Sequence, residues 1–400
     1  MTPADARGHL AACGSQGESV NQESRLVWVI AAAAIALGGC GRESGTGDAA
    51  TATPAQPVVN VYNWGDYIAP GVVEDFEAAT GIKVNYDTYD SQEMLETKLL
   101  AGRSGYDVVV VTGHFLERLV PAGAFRPLDF ARLPGRANLD AELMAKFAQY
   151  DPGNTHAVGY SWGTVGIGYD EGKRRALAPD APADSWSMIY DPRFVREMRA
   201  CGVSFVDSPS DVIGTALVAL GHDANEATPG QLDEAERLLL AVRPFVTKVD
   251  TGNQINDLAG GSICLMVTWS TQVRVARTRA AEAGVAADFR YVVPREGSVA
   301  WFDSLAIPVD APHPEEAHAF IEFMLRPEVA ARNANFIGSA SMNAAATPLV
   351  DPSLRDDPGI YPGPELRARL QPLRARSQER SREENRIWTR FRAGEARGGP

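Results

Sequence analysis

Val61-Tyr62-Asn63-Trp64-Gly65-Asp66-Tyr67-Ile68-Ala69-Pro70 is the stretch on which the reading of this chain turns. It leaves an apolar, β-branched run (Val58, Val59, Val61) that predicts a strand, and it ends on a proline suited to opening a helix. Between them two large aromatics flank one carboxylate, with Gly65 beside it. Open α/β sheets place ligands in loops at the carboxyl ends of strands. Aromatic faces and an acid suit an organic cation: rings pack on methylenes and attract an ammonium, and the acid pairs its charge. The plainer alternative makes Trp64 and Tyr67 core residues and Asp66 a helix cap.

Downstream, strand and helix patterns alternate. A strand is predicted over 58–62, and a helix over 70–80 with Val72, Val73, Phe76 and Ala79 on one face and Gly81 as its stop. A strand over 82–86 follows, then a helix over 92–101 capped by Asp90 or Ser91, with Met94, Leu95 and Leu99 as its stripe. A buried strand over 106–111 ends in four valines, and a helix over 115–122 follows. Such a series predicts a parallel sheet with crossover helices and both faces covered. Two short apolar runs, 157–160 and 165–169, surround Trp162-Gly163-Thr164 and mark a crossing between lobes. A second α/β unit follows: helices over 185–199, 211–220, 229–242, 255–260 and 270–283, and strands over 203–206, 246–250 and 264–268. Strands over 289–293 and 300–307 bring the chain back. Helices are predicted over 315–325 and 327–335, and the tail beyond Asp356 reads as helical and increasingly charged.

Upstream, residues 1–57 do not read as fold. Arg25 precedes a twelve-residue apolar run, 26–37, short for a bilayer span but right for a signal-peptide core. The run ends in Leu37-Gly38-Gly39-Cys40, which resembles a bacterial lipobox with Cys40 as the lipidated residue. Residues 1–40 are thus expected to be a signal region and 41–57 a flexible tether. Residues 1–24 are long and polar for such a leader and suggest Val20 as the initiator, which would remove Cys13. Export to an oxidising compartment then leaves Cys201 and Cys264 as a disulfide or as two buried thiols.

The chain has 400 residues, room for two ordinary domains, and a formal net charge of −13. That charge disfavours nucleic acid as a partner and favours cationic or neutral ones. No phosphate-binding GxxxxGK[ST] loop is present, so no nucleotide chemistry and no cofactor is expected. Gly159-Tyr160-Ser161-Trp162-Gly163 matches the GxSxG nucleophile elbow, but a β-type run follows where that motif needs a helix. His313-Pro314-Glu315-Glu316-Ala317-His318 spaces its histidines by five, not the four of a zinc helix, and reads as a solvated helix start. Five separate strand ends, by contrast, deliver mostly aromatic or acidic residues: Trp64, Asp66 and Tyr67; Thr112 and His114; Asp211; Trp269 and Gln272; Trp301, Phe302 and Asp303.

With those segments in view, the chain resembles the periplasmic polyamine-binding proteins of ABC importers, nearest to the putrescine-binding kind. The resemblance runs from about 58 to 392. It rests on YNWGDYIAP (62–70), ATGIKVNYD (79–87), FLERL (115–119), GIGY (166–169), CGVSF (201–205), INDLAGG (255–261), WFD (301–303), AATPLV (345–350) and DPGIYP (357–362). It implies an α/β, two-lobed type II periplasmic-binding-protein fold, each lobe a mainly parallel mixed sheet flanked by helices, with hinge strands between. Lobe 1 is expected over 58–160 and 300–340, lobe 2 over 161–299 and 341–392, and a disordered tail over 393–400.

The resemblance further implies a ligand set: Trp64, Gly65, Asp66, Tyr67, Thr112, His114, Asp211, Trp269, Gln272, Trp301, Asp303 and Ser339, with Cys201–Cys264 as a disulfide and no catalytic or metal-binding residue. Asp211 and Asp303 are expected to hold one terminal ammonium, Trp64, Trp269 and Trp301 to sandwich the methylenes, and Asp66, Tyr67 and Gln272 to hold the other end. Three positions depart from the putrescine binders: Gln272 replaces a second Asp, Ser339 a cleft Tyr, and Trp301 a Phe. The departures leave three ligands open: spermidine, putrescine held asymmetrically, or an amine such as γ-aminobutyrate. The implied protein is a periplasmic monomer, lipid-anchored through Cys40, that hands its ligand to the membrane subunits of an ABC permease. A lipid-anchored polyamine sensor is the alternative, and a GxSxG hydrolase a remote third.

Overall fold

A computed structural model describes residues 56–394. Eleven strands form one mixed sheet: β1 (Val58–Trp64), β2 (Lys83–Tyr89), β3 (Val108–Thr112), β4 (Ala157–Asp170), β5 (Val203–Phe205), β6 (Lys248–Val249), β7 (Leu265–Trp269), β8 (Phe289–Val292), β9 (Ser298–Ala306), β10 (Ala340–Ser341) and β11 (Leu370–Pro372). The main order is β2-β1-β3-β9-β4-β7-β5-β6; β8 and β10 pair with β4, and β11 with β9. The pairs β1–β2, β1–β3, β5–β6 and β5–β7 are parallel, as expected of crossover units. β9 enters antiparallel between β3 and β4.

The four valines 108–111 show why the run is unbroken. Val108 and Val110 enter one core with Val59, Val61, Phe76 and Phe320. Val109 and Val111 face the other way, into a core with Leu95, Leu116 and Phe302. A strand covered on both faces has no solvent side to alternate with, and each buried valine contributes on the order of 1.5–3 kcal/mol. A third core, with Trp186, Phe205, Leu217 and Phe391, packs around β5 and β7.

β4 is the spine of the sheet. Its 14 residues run unbroken where two short runs were expected. Its first part, to Thr164, pairs with β9, and from Val165 it pairs with β7 and then β8. Trp162 and Gly163, midway along it, each pack on a residue of β9. Trp162 lies opposite Phe302, their rings 6.1 Å apart and nearly parallel. Gly163 lies opposite Trp301, whose ring fills the space a β-carbon would take. The Gly159–Gly163 motif therefore lies inside a strand, without the turn and helix a nucleophile elbow requires.

Local signals placed most of the helices. Ser91 caps Gln92–Ala101 by accepting from the Met94 amide, and Gly81 closes Val72–Thr80 at φ 72°. Met94 is an exception: it is 52% exposed, and Gln92 joins Leu95 and Leu99 on the buried side. The helix expected over 185–199 divides into Ser187–Tyr190 and Pro192–Met198, because Asp191 caps a new start ahead of Pro192. The tail beyond Asp356 holds β11 as well as the helix Gln378–Ala393. Cys201 and Cys264 form a disulfide, with Cα atoms 5.5 Å apart, just ahead of the parallel strands β5 and β7. Cys40, the signal region, nearly all of the tether and residues 395–400 lie outside the described residues, and Ala393 closes the last helix. Among the described residues no helix is long and apolar enough to cross a membrane.

Candidate functional site

Asp303 is the hub. It lies in β9, in register with Thr112 of β3 on one side and Ser161 of β4 on the other. Its carboxylate is buried, at 5% exposure. Tyr67 donates its hydroxyl to Oδ2 at 2.6 Å, and Thr112 donates to Oδ1 at 2.7 Å. Ser161 meets Ser339 hydroxyl to hydroxyl at 2.6 Å. Two hydroxyls, one from a loop and one from a strand, thus bond one acid, and Ser161 lies opposite it in register. Burial pushes the Asp303 carboxyl above the usual range, and the hydrogen bonds from Thr112 and Tyr67 pull it back. Two hydroxyl donors do not neutralise a buried carboxylate, so a cation there would gain a full charge partner.

The opening loop divides in two. Tyr67 turns inward, with its own backbone carbonyl accepting from the Tyr160 hydroxyl at 2.6 Å. Trp64 is half-buried, 4.5 Å from the Tyr89 ring. Gly65 and Asp66 are exposed, and Asp66 sits at φ 53°, a left-handed conformation that Asp tolerates better than most residues. Asp66 does not cap the following helix: Gly71 holds that position, without a side-chain bond.

A second acid lies on the other half of the sheet. Asp211, in the first turn of Pro209–Ala219, is 8% exposed and accepts from the Trp269 indole N–H at 2.9 Å. Burial raises its carboxyl, while Trp269, Ser208 and Arg376 pull it down. Tyr67 belongs to the Asp303 cluster. Tyr67, expected at the other end of the ligand from Asp303, donates to it in the absence of ligand.

Three further expected residues are uncharged: Trp301, Gln272 and His114. Trp301 precedes Asp303 by two residues in β9, so both side chains leave the same face; Phe302 points into the core behind them. Gln272 is buried, and its Oε1 accepts from the Thr268 hydroxyl at 3.0 Å. His114 is half-buried at the start of Gly113–Leu119, and burial, with the charges of Arg118 and Arg376, lowers its pKa to about 3. It is neutral at ordinary pH.

Arg376 escaped the sequence reading. It follows β11, donates to Asn225 Oδ1 at 2.9 Å and pairs with Glu384 at 3.1 Å. Its charge acts on both Asp211 and His114. Its position in a charged tail carried no signal, because β11 had no legible pattern. Ser161 was read only as a failed nucleophile; its register opposite Asp303 is tertiary information.

Residues 71–362 match the family described as bacterial extracellular solute-binding protein. The putrescine-binding periplasmic protein SpuD of Pseudomonas aeruginosa is 44% identical over 338 residues, covering 84% of this chain and 92% of its own. The putrescine-binding periplasmic protein PotF of Escherichia coli is 43% identical over 346 residues, covering 86% and 94%. The spermidine/putrescine ABC transporter substrate-binding protein PotD of Streptococcus pneumoniae superposes with a TM-score of 0.75 at 28% identity, covering 84% of this chain and 99% of that one.

Proposed function

The chain belongs to the bacterial extracellular solute-binding proteins, transport components rather than enzymes, and on that premise we propose that it captures a polyamine, putrescine or spermidine, and delivers it to an ABC permease. The observation that carries this reading is Asp303: a buried acid with two hydroxyl donors and no cationic partner among the described residues, on the same sheet face as Trp301. One ammonium pairs with Asp303 and a second positive group lies toward Asp211. Trp64, Trp269 and Trp301 cover the methylenes, and Gly65, Asp66, Thr112, His114, Gln272 and Ser339 complete the lining. Cation–π contacts add ~0.5–2 kcal/mol each when desolvated. Micromolar affinity needs only about −8 kcal/mol net, so two ion pairs and the aromatic faces suffice after ligand ordering. Residues from both halves of the sheet touching one ligand would select a closed form for the permease to read.

The protein acts outside the cytoplasm as a monomer, held to a membrane by a lipid on Cys40. Lobe boundaries near 160 and 300 follow from the same reading. Calorimetry on protein stripped by denaturation and refolding tests the ligand class. Micromolar binding of putrescine or spermidine is expected, and no heat with putrescine, cadaverine, spermidine or spermine would end the reading. Labelled fatty acid incorporated by the parent and not by Cys40→Ser tests the anchor.

A further inference from the structure

Gln92 is a buried amide, at 5% exposure, on the side of its helix that Leu95 and Leu99 make apolar. It is the first residue of Gln92–Ala101, directly after the Ser91 cap. Its Oε1 accepts from the Thr112 backbone N–H at 3.2 Å, and its Nε2 donates to the Tyr89 hydroxyl at 2.7 Å. The Tyr89 hydroxyl donates in turn to the Val110 carbonyl at 2.5 Å. A backbone N–H only donates and a carbonyl only accepts, so every bond in this relay has one direction and the amide one orientation.

Both ends of the relay reach residues of the expected ligand set. Thr112 donates its side-chain hydroxyl to Asp303 Oδ1 at 2.7 Å, so Gln92 holds the backbone of a residue that aims the acid. Tyr89 lies opposite Trp64 in the β1–β2 register, their rings 4.5 Å apart and tilted by 51°. β2 and β3 do not pair; β1 lies between them. Gln92 therefore joins Tyr89 at the end of β2 to Thr112 at the end of β3, across the end of β1 where Trp64 stands. An apolar side chain beside Leu95 and Leu99 would carry no desolvation cost. A buried amide does carry one, and its two bonds go to the neighbours of the acid and of the ring.

We propose that Gln92 is a positioning residue of the amine site: it fixes Thr112 and, through Tyr89, Trp64, so that the acid taking the ammonium and the ring covering the methylenes are set together. This rests on the reading that Asp303 holds an ammonium, and it adds a residue that acts through its neighbours.

The test is a double-mutant cycle, read by titration calorimetry of refolded full-length protein with putrescine. Gln92→Met keeps the length of the side chain and loses both bonds. Thr112→Val keeps the backbone N–H and loses the hydroxyl that Asp303 accepts. Gln92→Met should weaken putrescine about tenfold and Thr112→Val about fivefold, the range of one or two hydrogen bonds. Together they should weaken it about 10- to 20-fold, where independent effects would give about 50-fold, because the hydroxyl that Gln92 aims is already gone. The same shortfall is expected when Trp64→Leu takes the place of Thr112→Val. A residue that only packs the core would lower the melting temperature and leave the effects multiplying. Circular dichroism checks folding; if Gln92→Met does not fold, Tyr89→Phe, which keeps the ring and loses the hydroxyl, takes its place in both cycles. Effects that multiply with either partner overturn the inference, as does a folded Gln92→Met protein that binds like the parent, and both leave the polyamine reading standing. A parent that binds neither putrescine nor spermidine removes both.

Discussion

The Tyr67 hydroxyl donates to Asp303 Oδ2 at 2.6 Å across 236 residues of sequence. That bond ties the loop after the first strand to the ninth strand and aims a buried carboxylate. Asp303→Asn keeps the shape and removes the charge. Amine affinity should fall about 30- to 100-fold, the scale of a lost charge-assisted pair. Tyr67→Phe should cost less, about fivefold, because the carboxylate remains. Calorimetry on both variants checks the order, and an Asp303→Asn protein binding like the parent would contradict it.

Acidity should act on affinity and stability through different residues. Asp303 and Asp211 have raised folded values, so their contribution to stability is fully present below about pH 3.9 and is lost as pH rises through those values. An ammonium needs the ionised acids, so affinity should fall as pH drops through the same raised values. His114 has the opposite sign. Its folded value of about 3 lies below an unfolded value of about 6.5, so its contribution is present above pH 6.5 and is lost toward pH 3. Denaturant midpoints from pH 7 to 4 should show the parent losing stability relative to His114→Asn. Parallel curves would show that His114 does not titrate this way.

Gly163→Ala would set a methyl group against Trp301 and the Ser270 hydroxyl. The strand cannot yield without breaking the β4–β9 register, so the indole must move. A loss of about 1–3 kcal/mol in stability and a shifted tryptophan emission are expected, with amine affinity lowered about tenfold. Emission and affinity equal to the parent's would mean that Trp301 has room to spare.

The Cys201–Cys264 bond spans 63 residues between neighbouring parallel strands. A loop of that length loses about 4 kcal/mol of stabilisation in the chain-entropy account when the bond is removed. Urea unfolding of a Cys201→Ala, Cys264→Ala double variant should show that loss as a lower midpoint. An unchanged midpoint would show that the strand pairing holds without it.

Much of this protein is written locally. Four consecutive valines, alternation over 82–86, the Ser91 cap and the Gly81 stop each encode an element through neighbours a few residues apart, where sterics and hydrogen bonding decide. The aromatic–acid loop at 64–67 and the acids at 211 and 303 were legible as strand-end chemistry. Which acid belongs with which hydroxyl was not. The insertion of β9 between β3 and β4 sets Thr112 and Ser161 in register with Asp303, which no local pattern encodes. The two short runs on either side of Trp162-Gly163-Thr164 are one continuous strand, with Trp301 lying on Gly163. Arg376 acquires meaning only from neighbours remote in sequence. The elements and the residue types at the strand ends were therefore determined by sequence alone, through short-range forces. The grouping of the site's charges and hydrogen bonds was decided by the tertiary structure, because strand register and burial are set by contacts hundreds of residues apart.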